Sequence, residues 1–233
     1  MTLDEFVRVV GGGLIASCQA GTGHPLRDSP TIARMARAAV LGGATAIRCG
    51  GVGGVPDIQE VASAVEVPII GLTKRGIAGV FITPTADDAL QVLAAGAAVV
   101  ATDGTRRRRP DGTPLLHTVE AVQAAGGLVM ADVATVDDGI AAAAAGADMI
   151  ATTLSGYTAD SPQGPGPDLD LVAALSRALP STVIVAEGRY HRPEQVRAAL
   201  DAGATAVVVG TAITDPAWIA GSFAAHTDRP RRG

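Results

Sequence analysis

The chain has 233 residues, 48% hydrophobic and 18% charged, with a formal net charge of −5 at pH 7. That composition is too apolar for a disordered chain, and an acidic balance argues against a nucleic-acid-binding surface. No apolar run reaches the roughly 20 residues that cross a bilayer, so neither a membrane nor a nucleic acid is expected as a partner.

Short apolar runs alternate with longer Ala-rich stretches along the whole length. The runs predict strands at Gly13–Ser17, Ala44–Arg48, Val67–Leu72, Ala98–Thr102, Leu128–Asp132, Ala147–Thr152, Val183–Ala186 and Ala206–Gly210. Their apolar residues are continuous, as in parallel strands buried on both faces. Apolar spacing of three and four predicts helices at Thr31–Leu41, Val55–Ala64, Ala86–Ala95, Leu115–Ala125, Val136–Ala145, Leu169–Leu179 and Pro193–Ala202. Ser29-Pro30, Thr85 and Thr135 read as helix starts, the last two followed by acidic pairs that suit the helix dipole.

A Gly-Ala pair recurs at Gly43, Gly96, Gly146 and Gly203, each ending a helix just before a strand. Glycine supplies the left-handed residue that terminates a helix. The spacing matches two β-α units, so four copies mark the even-numbered strands of eight. The fold class is therefore α/β, a single (βα)8 barrel of the TIM type. An open doubly wound sheet would carry a Gly-rich loop after its first strand, whereas Gly11-Gly12-Gly13 precedes it. One domain is expected over residues 1–226, with a flexible tail over 227–233.

Active sites of such barrels form at the C-terminal strand ends, and those ends are polar here. Of the 18 basic residues a single one is lysine, Lys74, and it falls at the end of the third strand. An ammonium can surrender its proton where a guanidinium cannot. Apolar walls and a neighbouring Arg48 or Arg75 would depress its pKa, making it a base near neutral pH; the plainer role is an ion pair with Asp103 or Asp132. Glu187 ends the seventh strand, several strands away. Two acid/base groups facing one carbon are what inversion by deprotonation and reprotonation needs, although Glu187 could equally pair with Arg189 or Arg48. Gly188, Arg189, Gly210 and Thr211 follow strands seven and eight, where barrels of this kind bind phosphate through backbone N–H groups.

Other features read as structural. Arg106–Arg109 has no interleaved aromatics, which favours a solvated loop or a substrate or subunit contact over nucleic acid. The histidines lack ligand spacing, so no metal is expected. Asp4 and Glu5 stand where a secretory signal carries basic residues, and Cys18 and Cys49 are too few for a disulfide scaffold. A reduced, cytoplasmic protein is the expectation.

From GLIASCQA (Gly13–Ala20) through AIR (Ala46–Arg48), TKR (Thr73–Arg75), DGTRRRRPDG (Asp103–Gly112), MADVAT (Met130–Thr135), TTLSGYT (Thr152–Thr158) and AEGR (Ala186–Arg189) to VVVGTAITDP (Val207–Pro216), the chain resembles the N-acetylmannosamine-6-phosphate 2-epimerases of bacterial sialic acid catabolism. The resemblance implies interconversion of N-acetylmannosamine 6-phosphate and N-acetylglucosamine 6-phosphate without metal, nucleotide or other cofactor. It implies Lys74 as the base at C2, Glu187 as its partner, and Gln19, Arg48, Asp132, Ser155 and Tyr157 as substrate-binding groups; a homodimer is expected. Asp215 departs from an arginine frequent in the family, so it must point away from a phosphate or the phosphate contacts differ. The glycine-rich segment 50–54 leaves the loop after strand two open. Competing readings are a ribulose-phosphate epimerase-like barrel and a non-catalytic sugar-phosphate-binding protein.

Overall fold

The computed structural model describes residues 1–76 and 78–228. It opens with a helix absent from the sequence reading, α1 (Leu3–Val10), closed by a capping box. The Thr2 hydroxyl accepts from the Glu5 N–H, and the Glu5 carboxylate accepts from the Thr2 N–H. Strands and helices then alternate: β1 (Leu14–Cys18), α2 (Ser29–Leu41), β2 (Ala46–Gly51), α3 (Gly54–Ala62), β3 (Ile69–Thr73), α4 (Ala86–Ala94), β4 (Val99–Asp103), α5 (Leu115–Ala124), β5 (Leu128–Asp132), α6 (Val136–Ala144), β6 (Met149–Ala151), α7 (Leu169–Ala178), β7 (Val183–Glu187), α8 (Pro193–Asp201) and β8 (Ala206–Val209). Neighbouring strands are parallel and β8 pairs back onto β1, so the sheet closes into a (βα)8 barrel. Two helices follow, α9 (Thr211–Thr214) and α10 (Pro216–Ala224).

The expected repeat is present. Gly43, Gly96, Gly146 and Gly203 all hold φ between 87° and 106° and lead into β2, β4, β6 and β8. Thr85 and Thr135 cap α4 and α6. At α2 the cap is Asp28 rather than Ser29, its carboxylate accepting from the Thr31 N–H at 2.8 Å. Strand β2 runs beyond Arg48 through Gly50 and Gly51, where a turn could have been read. A Cβ at Gly50 would strike the Leu72 carbonyl of β3, and its φ of 102° suits glycine alone.

Strand side chains alternate between two buried layers. One layer, with Ala16, Ile47, Val100, Val129 and Ala186, packs under the helices. The other, with Ile15, Ile70, Val99, Met130 and Val185, fills the barrel, and Phe6 and Val10 of α1 join it. Helix α1 therefore plugs the barrel end opposite the polar mouth. Among the described residues no helix is long and apolar enough to cross a membrane. Of the expected tail, residues 229–233 lie outside the described residues, and Thr227 still bonds back to the Ala224 carbonyl through its N–H and hydroxyl.

Candidate active site

The two-residue period that fills the barrel also decides which mouth residues face inward. Ile15, Ala46, Leu72, Ala101, Met130, Ala151 and Val185 belong to the inner layer. Two residues further along each strand stand Ser17, Arg48, Lys74, Asp103, Asp132, Thr153 and Glu187. A polar layer thus sits directly on the apolar core.

A cavity of about 340 Å³ opens above this layer. Its wall contains eight of the eleven expected site residues: Gln19, Lys74, Tyr157, Glu187, Gly188, Arg189, Gly210 and Thr211. Ser17, Thr153, Tyr190, His191 and Asp215 also line it and were not anticipated as site residues. Three expected residues are absent from the wall. Arg48 and Asp132 are buried beneath it. Ser155, expected to bind substrate, is buried too; its hydroxyl donates to Asp168 and its carbonyl accepts from Arg189, which ties down the loop after β6.

Below the floor, Arg48 grips Asp132 with two hydrogen bonds, Nη1–Oδ1 at 3.1 Å and Nη2–Oδ2 at 2.6 Å. Its Nη1 also lies 3.2 Å from Glu187 Oε2. Burial opposes the Arg48 charge, but the Asp132 and Glu187 carboxylates outweigh it and hold the guanidinium above its ordinary range. Glu187 shifts strongly as well. Burial pushes its carboxyl up to about 7; Arg48 pulls the other way and Asp132 adds to the rise. Lys74 opens onto the water of the cavity but is crowded by protein elsewhere. Burial, then the Arg48 charge, lowers its pKa, with Glu187 and Asp132 opposing. The two pKa values are therefore drawn toward each other. Gln19 donates to Ser17 Oγ at 2.9 Å, leaving its own Oε1 without a partner among the described residues.

The segment carrying Lys74 folds back as a hairpin. Lys74 bridges to Ile82, the Arg75 N–H donates to the Phe81 carbonyl, and the Thr83 N–H donates to the Thr73 carbonyl. Thr83 has a φ of 39°, an uncommon conformation for a β-branched residue. It is held there by Arg109, whose Nη2 donates to the Thr83 carbonyl, Nε to that of Pro84 and Nη1 to that of Asp103. The reading of Arg106–Arg109 as a solvated loop or contact surface fails at Arg109. Arg109 is buried and Arg107 is half-buried on Asp103; Arg106 and Arg108 are exposed, Arg106 pairing with Asp137 and Asp138.

At the opposite wall Gly188 and Arg189 both hold positive φ, 112° and 59°. Arg189 Nε donates to the Gly166 carbonyl and Nη1 to that of Ser155, and the guanidinium lies 5.6 Å over the Tyr157 ring. Nη2 makes no hydrogen bond among the described residues. Gly210 begins the short α9, whose first N–H groups have no partner within the helix. Asp215 resolves its departure from the family pattern. Its Oδ1 accepts from the Trp218 N–H at 3.0 Å, capping α10, and lies 3.3 Å from His24 Nε2, so the carboxylate serves a helix end. Among the described residues no group of three or more His, Cys, Asp or Glu is placed to hold a metal ion. Cys18 and Cys49 are register partners on β1 and β2, both free and buried, and burial raises both thiol pKa values, Cys18 to about 12.

A family model, NanE, "Putative N-acetylmannosamine-6-phosphate epimerase", matches residues 32–229. A relative from Cutibacterium acnes, given the corresponding 2-epimerase name with the same qualifier, is 49% identical over 222 residues, covering 94% of this chain and 96% of its own. Another so named, from Corynebacterium glutamicum strain R, is 46% identical over 213 residues, 91% of this chain and 92% of its own. The solved N-acetylmannosamine-6-phosphate 2-epimerase from Clostridium perfringens superposes with a TM-score of 0.90 at 40% identity, over 95% of this chain and 96% of that one. The chain belongs to the NanE family of N-acetylmannosamine-6-phosphate epimerases.

Proposed function

We propose that this chain interconverts N-acetylmannosamine 6-phosphate and N-acetylglucosamine 6-phosphate by removing and returning the proton at C2, with Lys74 and Glu187 as the two proton carriers. In the open-chain sugar C2 lies beside the C1 aldehyde, so losing its proton yields an enolate rather than a bare carbanion. Neutral Lys74 takes the C2 proton and becomes an ammonium. Glu187, as the carboxylic acid, delivers a proton to the other face and becomes a carboxylate. The reverse reaction exchanges these roles, so the pair holds one proton before and after each inversion and two while the enolate lasts. Positive charge on Arg48 below the floor favours the developing oxyanion electrostatically. Gln19 and Tyr157 orient the sugar.

The observation that carries this reading is the placement of Lys74 and Glu187. They follow β3 and end β7, four strands apart in a ring of eight, and line one cavity. Two carriers on opposite walls suit inversion at the carbon between them. The phosphate sits against Gly188, Arg189, Gly210 and Thr211, where glycine permits close backbone approach. Residues 1–226 act as one catalytic unit. A homodimer fits α10, which buries none of its own residues and leaves Phe223 75% exposed; sedimentation velocity checks it. Reduced, free cysteines fit a cytoplasmic location.

The test is NMR of N-acetylmannosamine 6-phosphate in deuterated water with the purified chain. Deuterium at C2 of both epimers supports the reading. Binding without exchange would make the chain a sugar-phosphate-binding protein, and turnover confined to pentulose phosphates would favour the ribulose-phosphate reading.

A further inference from the structure

Thr153 has no part in the steps above, yet it stands between two carboxylates. Its Oγ1 lies 2.6 Å from Asp132 Oδ1 and 3.2 Å from Glu187 Oε2. A threonine hydroxyl has one proton and two lone pairs. The 2.6 Å contact is much the shorter of the two, so the proton points at Asp132. Asp132 also accepts two N–H groups from Arg48, so it faces its neighbours as an acceptor. Toward Glu187, Thr153 then presents only a lone pair. Two facing oxygens with no hydrogen between them repel; the 3.2 Å contact becomes attractive when Glu187 carries the proton and donates it.

We infer that Thr153 is a positioning residue for the C2 reaction: its hydroxyl, committed to Asp132, accepts a hydrogen bond from protonated Glu187 and so keeps a proton stored at the site. This rests on the reading of Glu187 as a proton carrier. The bond is long, so its loss when the proton leaves for the sugar costs little. The charged groups facing Glu187 are Arg48 from β2, Lys74 beyond β3 and Asp132 from β5. None of them accepts from a carboxylic acid in this way, because Asp132 is occupied by Arg48 and Thr153.

The inference is tested by the pH dependence of kcat/KM in Thr153→Val and Thr153→Ser. The pair is active with one proton and inactive with two; with Lys74 the more basic member, the second proton enters at Glu187, which sets the acidic limb. Removing the hydroxyl is expected to weaken proton binding by Glu187 about tenfold and move that limb about one pH unit lower, with KM little changed and Thr153→Ser restoring the original limb. A limb moving to higher pH would mean that the hydroxyl donates to ionised Glu187, and a uniform loss with an unmoved limb would mean packing alone; either overturns the inference. Thr153→Ala gives the same comparison should the valine variant misfold. The carboxylic-acid infrared band that disappears in Glu187→Gln, followed with pH in unliganded wild type and Thr153→Val, reads the same shift without turnover. Absence of C2 exchange would refute the epimerase reading while leaving this measurement decisive for Thr153.

Discussion

Replacing Glu187 by glutamine should separate activity from stability in opposite directions. The native carboxyl holds its proton up to about 7, whereas its ordinary value is 4.5. Below pH 4 both folded and unfolded chains are protonated there and no difference arises. As pH rises through that window the unfolded chain releases its proton first, so the native state loses stability by linkage. Each pKa unit corresponds to about 1.36 kcal/mol. The shift from 4.5 to about 7 already contains the opposing pull of Arg48, 3.2 Å away, so the penalty gained between pH 5 and pH 8 is on the order of 2–3 kcal/mol. Glutamine does not ionise and escapes it. Urea unfolding at pH 5 and pH 8 should therefore show Glu187→Gln gaining on wild type by that amount at the higher pH, with any pH-independent offset from the lost Arg48 contact cancelling in the difference. Turnover should fall by about a hundredfold or more, while exchange of the C2 proton with deuterated solvent through Lys74 outlasts epimerisation. A stability difference that is the same at both pH values would refute the desolvated carboxyl. Exchange and epimerisation falling by one common factor would refute the division of labour with Lys74.

Lys74→Arg keeps the positive charge but removes the releasable proton; it should lower kcat by far more than tenfold, about 1.4 kcal/mol of barrier, while substrate still binds by calorimetry, and retention of a tenth of wild-type turnover would contradict the base assignment. Free N-acetylmannosamine should show a severely reduced kcat/KM, since the anion that orients the sugar is missing; equal efficiency would remove the phosphate site from the walls around Gly188 and Gly210. Arg109→Met strips hydrogen bonds from three carbonyls and should cost about 3 kcal/mol in urea unfolding, with kcat falling as the Lys74 hairpin loosens; a cost below about 1 kcal/mol would show that Thr83 holds its conformation unaided.

The barrel was legible because its signals are local and repeated: continuous apolar runs, and a glycine that ends every second helix. Lys74 and Glu187 were legible as strand-end residues. Ser17 and Thr153 carried an equally good signal, since each lies two residues beyond an inward-facing apolar residue, but strand ends sorted only by chemistry do not reveal it. Helix α1 also had its signs, with Leu3, Phe6, Val7 and Val10 on one face and Thr2 three residues before Glu5; weighing Asp4 and Glu5 only against a signal sequence hid them. Arg109 was not legible. Four identical side chains in a row differ only in what the fold brings to them, and the carbonyls of Thr83 and Pro84 arrive from another loop. The burial of Ser155 was hidden for the same reason, because Asp168, its partner, lies across a Pro- and Gly-rich loop whose course no periodicity describes.

The solitary lysine makes the site its own reporter. Reductive methylation with isotopically labelled formaldehyde would mark one side chain and the N-terminal amine and nothing else. The dimethylated Lys74 would give a single resonance, at the mouth of the barrel, that follows its protonation and any ligand entering beside it. The same solitude carries a hazard: coupling this chain to a surface or a dye through lysine attaches it by the very group proposed to perform the reaction.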